Sequence, residues 1–116
     1  MDIGHQTIIS VDVVDAYSGR RIGQLPIRLE QQGSHGWTPI GERSTDADGN
    51  AVHWQVADLG ALYRCVVDTD RYFVLLGLAP CYPEIVVVLR ATGSTGRYRL
   101  TIVVMPHAYL VQHSDR

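Results

Sequence analysis

Asp12 and Arg99 are the residues of this sequence best suited to chemistry. A carboxylate on an otherwise apolar strand face serves as a base or as a hydrogen-bond acceptor. An arginine on such a face is a permanent cation. It does not shuttle protons, but it stabilises an oxyanion or clamps a carboxylate. Both residues stand in period-2 patterns. Ile9, Val11 and Val13 alternate with Ser10, Asp12 and Val14, while Tyr98, Leu100, Ile102 and Val104 alternate with Arg99, Thr101 and Val103. The first set of each pair points to a core, and the second set forms a face that mixes apolar walls with a few polar groups, as ligand pockets do.

The elements that must position these residues are short strands. After Ile9 to Val14, a turn at Tyr17-Ser18-Gly19 leads to a second strand over Leu25 to Glu30, where Pro26 marks an edge or a strand start. A third strand runs from Trp37 to Arg43. The turn Thr45-Asp46-Ala47-Asp48-Gly49-Asn50 suits local side-chain bonding and positive φ, and a short strand, Ala51 to Trp54, leaves it. Leu62 to Asp68 alternates again. Asp70 to Leu76, with an acidic start and Gly77 behind it, is the one helix candidate. Glu84 to Arg90 is so rich in β-branched residues that burial on both faces or a subunit contact is expected. The flexible turn Ala91 to Gly96 leads to Arg97 to Met105, and Ala108 to Gln112 follows Pro106. About eight strands at this spacing predict an all-β sandwich with one short helix, and 116 residues suit a single domain over 1–116.

Composition narrows the function. The chain is 46% hydrophobic and 19% charged with a net charge of −2, and its ten basic residues form no run, so nucleic acid is not an expected partner. The opening MDIGHQTIIS lacks a basic segment followed by an apolar run, and no apolar stretch is long enough to span a bilayer. A cytoplasmic location without membrane attachment is therefore expected. Cys65 and Cys81 are read as free thiols rather than a bridge. The histidines are scattered without metal spacing, and no GxSxG elbow, glycine-rich phosphate loop or HExxH pair is present, so no metal or organic cofactor is expected.

The ordered pieces Val13-Val14-Asp15 with Ser18-Gly19-Arg20, Trp37, Thr45-Asp46-Ala47-Asp48-Gly49, Leu62-Tyr63, Val67-Asp68-Thr69, Tyr72-Phe73, Tyr82-Pro83-Glu84, Tyr98, Pro106 and Tyr109 resemble the transthyretin and 5-hydroxyisourate hydrolase family over nearly the whole chain. The resemblance implies a two-sheet transthyretin-like sandwich. It also implies a homotetramer, a dimer of dimers around a central channel faced by Ser10, Asp12, Val14, Arg99, Thr101, Val103, Leu110 and Gln112. In the hydrolases of this family, a His before a VLD segment, an Arg ending the TxADGR turn and the second His of an HYH segment act on a purine-derived ring. The matching positions here are Asp12, Asn50 and Arg99, and the hydrolase ending near SPYGYSTYRGS keeps only Pro106 and Tyr109.

Those substitutions predict that the ancestral hydrolysis is absent or very weak. The expectation is a small-molecule enzyme repurposed for opening, closing or isomerising a polar ring, with a non-catalytic small-molecule binder as the alternative. Asp12 would be the acid/base group and Arg99 the electrostatic clamp. In the rewritten C-terminal segment either His107 or His113 could replace the lost proton carrier, and His107 is placed with the catalytic set. Ser10, Asn50, Thr101, Tyr109, Leu110 and Gln112 make up the expected binding set, although Asn50 also suits its turn and Tyr109 also suits packing. A cross-strand ion pair of purely structural value remains the other reading of Asp12 and Arg99, since the family fold sets their strands side by side.

Overall fold

The computed structural model describes residues 7–57, 60–91 and 96–114. The opening residues 1–6 and most of the 91–96 turn lie outside the described residues. Among the described residues eight strands are present: β1 (Thr7–Asp15), β2 (Pro26–Gly33), β3 (Gly36–Ser44), β4 (Val52–Val56), β5 (Leu62–Asp68), β6 (Glu84–Arg90), β7 (Arg97–Met105) and β8 (Ala108–Ser114). One helix, α1 (Thr69–Leu75), joins β5 to β6. The strands form two four-stranded sheets, ordered β4-β1-β7-β8 and β3-β2-β5-β6. All neighbours pair antiparallel except β1 and β7, which run parallel.

Alternation decides which side chains fill the space between the sheets. Ile9, Val11 and Val13 from β1 meet Leu100, Ile102 and Val104 from β7 on one inner face; Ile27, Leu29, Tyr63, Cys65, Val67 and Ile85 supply the other. Burial on this scale contributes roughly 1.5–3 kcal/mol per large side chain and is the main source of stability. The two thiols are free. Burial pushes the Cys65 thiol up to about 12, so it stays protonated and inert.

Several strand and helix limits differ from the sequence reading for identifiable reasons. The helix starts one residue early because the cap is Asp68, the last residue of β5, whose carboxylate accepts the Arg71 N–H at 3.3 Å. Phe73 anchors α1 in the core, and the Tyr72 hydroxyl donates to Asp15 Oδ2 at 2.5 Å, tying the helix to the end of β1. Burial raises the Asp15 carboxyl, but bonds from Tyr72 and from the Tyr17 and Ser18 N–H groups outweigh it and hold it below its ordinary value. Pro26 opens β2, a strand flanked by β3 and β5, so its place is a strand start and not an edge. The expectation that β6 is buried on both faces is corrected. It is an edge strand that turns Ile85 inward and leaves Val86 and Val88 about half exposed.

Candidate functional site

The outer face of the β4-β1-β7-β8 sheet carries most of the candidate residues. Register arranges it in rows. His53, Ser10, Arg99 and Ser114 lie side by side across four strands, and Asp12, Thr101 and Gln112 form the next row. Val14, Val103 and Leu110 follow beyond them, so polar groups give way to apolar ones along the strands.

Asp12 faces outward as expected, yet it is only 3% exposed. Its Oδ1 accepts the Thr101 hydroxyl at 2.7 Å. Its Oδ2 stands 3.6 Å from Arg99 Nη2 and 3.8 Å from Arg21 Nε. Both guanidiniums keep nearly half of their side-chain surface in solvent. The buried carboxylate thus gathers two cations whose outer ends stay available. Two positive groups against one negative group leave a net excess of one positive charge facing solvent.

Arg21 reaches this place through a short bridge to Val14 in the segment between β1 and β2. Its Nη1 donates to Asn50 Oδ1 at 3.1 Å. Asn50 is fixed in turn by Asp46, which accepts the Asn50 backbone N–H at 2.9 Å and its side-chain amide at 2.8 Å. These two bonds, with those from the Asp48 and Gly49 N–H groups, hold the Asp46 carboxyl below its ordinary value. Asn50 therefore serves both its turn and the site. Gly49 allows the two to meet: its φ is +76°, and a Cβ there would lie 2.5 Å from Arg21 Cβ. Gly49→Ala is expected to displace Arg21 and cost about 2 kcal/mol or more, a steric clash added to a strained backbone. Urea unfolding checks this; an unchanged midpoint would contradict it.

A hollow of about 400 Å³ opens beside the cluster, lined by Ser10, Arg21, Asn50, His53, Arg97 and Arg99 among others. Ser10 Oγ and His53 Nδ1 lie 2.6 Å apart on its wall. On the other side of Arg99 a shallower hollow of about 670 Å³ takes in Thr101, Gln112 and His113. A third hollow, of about 850 Å³, runs between β3 and β4 and shares Ser10, His53 and Arg97 with the first. The 400 Å³ space is the one of the three that brings Arg21 and Arg99 together with Ser10 and His53, and it is large enough for a small heterocycle.

Of the residues expected to form the site, Asp12, Arg99, Ser10, Asn50, Thr101 and Gln112 come together on this face. Leu110 shares the face but sits opposite Val103, one row beyond the Asp12 row. Three of the expected residues lie away from this cluster within the chain. His107 lies in the turn between β7 and β8, where its Nδ1 is 3.4 Å from Cys81 Sγ. From Arg99 to that turn is six residues of strand, about 20 Å, too far for proton transfer at Arg99. Tyr109 pairs with the inward-facing Val104 and packs edge-on against Tyr82 at 5.3 Å, so alternation puts it on the opposite face from Leu110 and Gln112. His113 likewise turns inward to stack on Tyr98.

The structure adds two residues that the sequence reading passed over, Arg21 and His53. His53 carried a usable signal: it lies between Val52 and Trp54, which face the core, so its own side chain had to face outward. The β1–β4 register then puts it beside Ser10.

A family model described as "HIUase/Transthyretin family" matches residues 9–112. The chain belongs to this family. Family relatives include the 5-hydroxyisourate hydrolase of Salmonella dublin, 28% identical over 88% of this chain and 76% of the relative. A probable 5-hydroxyisourate hydrolase of Caenorhabditis elegans is 29% identical over 87% and 76%. Among solved structures, sea bream transthyretin in complex with thyroxine superposes with a TM-score of 0.82 and 26% identity, covering 93% of this chain and 95% of that one. Among the described residues, no helix is long and apolar enough to cross a membrane, and no group of three metal-ligating side chains occurs.

Proposed function

We propose that this protein is a divergent member of the hydrolase branch, repurposed as a small-molecule enzyme that opens, closes or isomerises a polar ring in a specialised pathway. Its substrate is a small planar anion held by Arg99 and Arg21. The observation that carries this reading is the buried Asp12 carboxylate, which collects two half-exposed guanidiniums at the rim of a 400 Å³ hollow. A guanidinium oriented in this way presents parallel N–H groups to a carboxylate or an enolate oxygen and stabilises charge as it develops. Asp12 has both oxygens engaged, so its part is to position the cations, and the acid/base role first expected of it passes to another residue.

The ancestral reaction does not fit these groups. Hydrolysis at the family's site draws on histidines where this chain has Asp12 and Arg99, and an arginine does not exchange protons at neutral pH. Freshly generated 5-hydroxyisourate is expected to decay at its spontaneous rate when the protein is added, followed by ultraviolet absorbance. A rate far above the spontaneous one would overturn the reading.

A non-catalytic binder is the second reading, favoured by the likeness to a transthyretin solved with thyroxine. It predicts a ligand that stabilises the fold and is recovered unchanged, whereas the enzyme reading predicts a product. Either reading uses the whole chain as one transthyretin-like domain in a cytoplasmic homotetramer. The half-exposed Val86 and Val88 on edge strand β6 and Leu110 and Val111 on edge strand β8 support that assembly, because such apolar edges are covered in stable proteins. Light scattering on the eluting protein is expected to give four times the chain mass; a monomer would count against the channel.

A further inference from the structure

The cluster around Asp12 holds charge but moves no proton, so the proposed chemistry needs a proton carrier within the same hollow. The geometry points to His53, held in place by Ser10, as the group that transfers the proton. This inference rests on the proposal that the 400 Å³ hollow is the ligand site.

His53 stands on edge strand β4 with its side chain exposed to the hollow. Its Nδ1 lies 2.6 Å from Ser10 Oγ, a short contact between neighbours in one cross-strand row. When Nδ1–H donates to that oxygen, the lone pair sits on Nε2, the tautomer a general base requires. Ser10 is then a positioning residue. Arg99 occupies the next place in the same row, so His53 and Arg99 are two strand spacings apart, about 10 Å between backbones. A small ring laid across Ser10 would touch the base at one end and the guanidinium at the other.

The step balances without any further reactant. Nε2 takes a proton from a ring C–H or N–H, the released electron pair moves to an oxygen or nitrogen facing Arg99, and the imidazolium returns the proton to the atom that leaves or rearranges. Neither His107, in its distant turn, nor His113, stacked on Tyr98, borders this hollow.

The base can be tested with a neutral planar probe, 5-nitrobenzisoxazole, whose ring opens when one C–H proton is removed. The C–H electron pair becomes part of a nitrile, the N–O bond breaks and a coloured phenolate is released. The full-length protein is expected to open the probe faster than buffer alone. His53→Gln is expected to lower the protein-dependent rate by roughly tenfold or more, toward the range general bases contribute. Ser10→Ala should lower it as well, and Ser10→Thr, which keeps the hydroxyl, should restore it; a merely structural Ser10 would not give that split. His107→Gln is expected to leave the rate where it was. No acceleration by the parent protein, or an undiminished rate in His53→Gln, overturns the assignment. Calorimetric titration with urate separates the two proposals. If urate fails to bind while His53 still opens the probe, the anion reading falls and the base stands.

Discussion

Arg99→Ala is expected to weaken binding of urate, a stable planar anion of the purine-derived class, by roughly a hundredfold, measured by calorimetric titration. A hydrogen bond to a charged group contributes about 1.5–3 kcal/mol, and each 1.4 kcal/mol is a factor of ten in affinity. The upper part of that range applies because Arg99 presents its half-exposed end to the hollow while Asp12 holds its other side. Stability should change little. An arginine so exposed contributes no more than about 1 kcal/mol through its ion pair, so the oligomer and the unfolding midpoint should stay near those of the parent. Arg99→Lys should recover only part of the affinity, because an ammonium supplies charge without the paired N–H geometry.

Asp12→Asn is the more discriminating substitution, because two physical accounts give opposite signs. If Asp12 merely repelled anions, removing its charge would leave the hollow more positive and tighten urate binding. If Asp12 positions Arg99 and Arg21, as the 3.6 Å and 3.8 Å contacts indicate, the loss of its charge releases Arg99 and leaves Arg21 held by Asn50 alone, and urate should bind about tenfold more weakly. The side-chain amide keeps an oxygen for the Thr101 hydroxyl, so the fold should survive the change. Asp12→Ala removes that acceptor too and is expected to cost about 2 kcal/mol in urea unfolding, with the half-exposed arginines regaining water. Tighter urate binding by Asp12→Asn would show that the carboxylate does not position the cations.

How much of this could be read in advance depended on whether period 2 was enough. β5, β6 and β7 end where their alternation ends, and Asp12, Arg99 and Thr101 were assigned to the outer face because their neighbours are apolar and inward. The same rule separates neighbours in β8. Tyr109 and Leu110 are consecutive and cannot share a face, so only Leu110 and Gln112 join the row system. Arg21 was hidden for another reason. It lies in a segment with no periodicity, and only the bridge to Val14 and the contact across Gly49 bring its guanidinium over Asp12. That cover explains why an outward-facing aspartate is nearly as inaccessible as the core. His107 lies away from Arg99 because a histidine beside proline at the end of a strand belongs to a turn, and the turn lies at the far end of β7 from Arg99.

The family resemblance carries the fold and three substituted positions, Asp12, Asn50 and Arg99, but no information on side chains peculiar to this chain. His53 has no counterpart among the histidines carried over by that resemblance, although it stands beside Ser10 in the same hollow. On the proposed reading, the family's site and this one would share a face of the sheet while differing in which strand supplies the imidazole.

A crystal structure of the protein soaked with urate decides whether the hollow is an anion site. A planar density is expected in the hollow beside β1 and β4, with an oxygen within hydrogen-bond distance of Arg99 and Arg21 and with Asp12 still gathering both guanidiniums. A hollow that stays empty at saturating urate, with Arg99 folded onto Asp12 so that neither guanidinium faces the space, would contradict it and leave the pair a structural one.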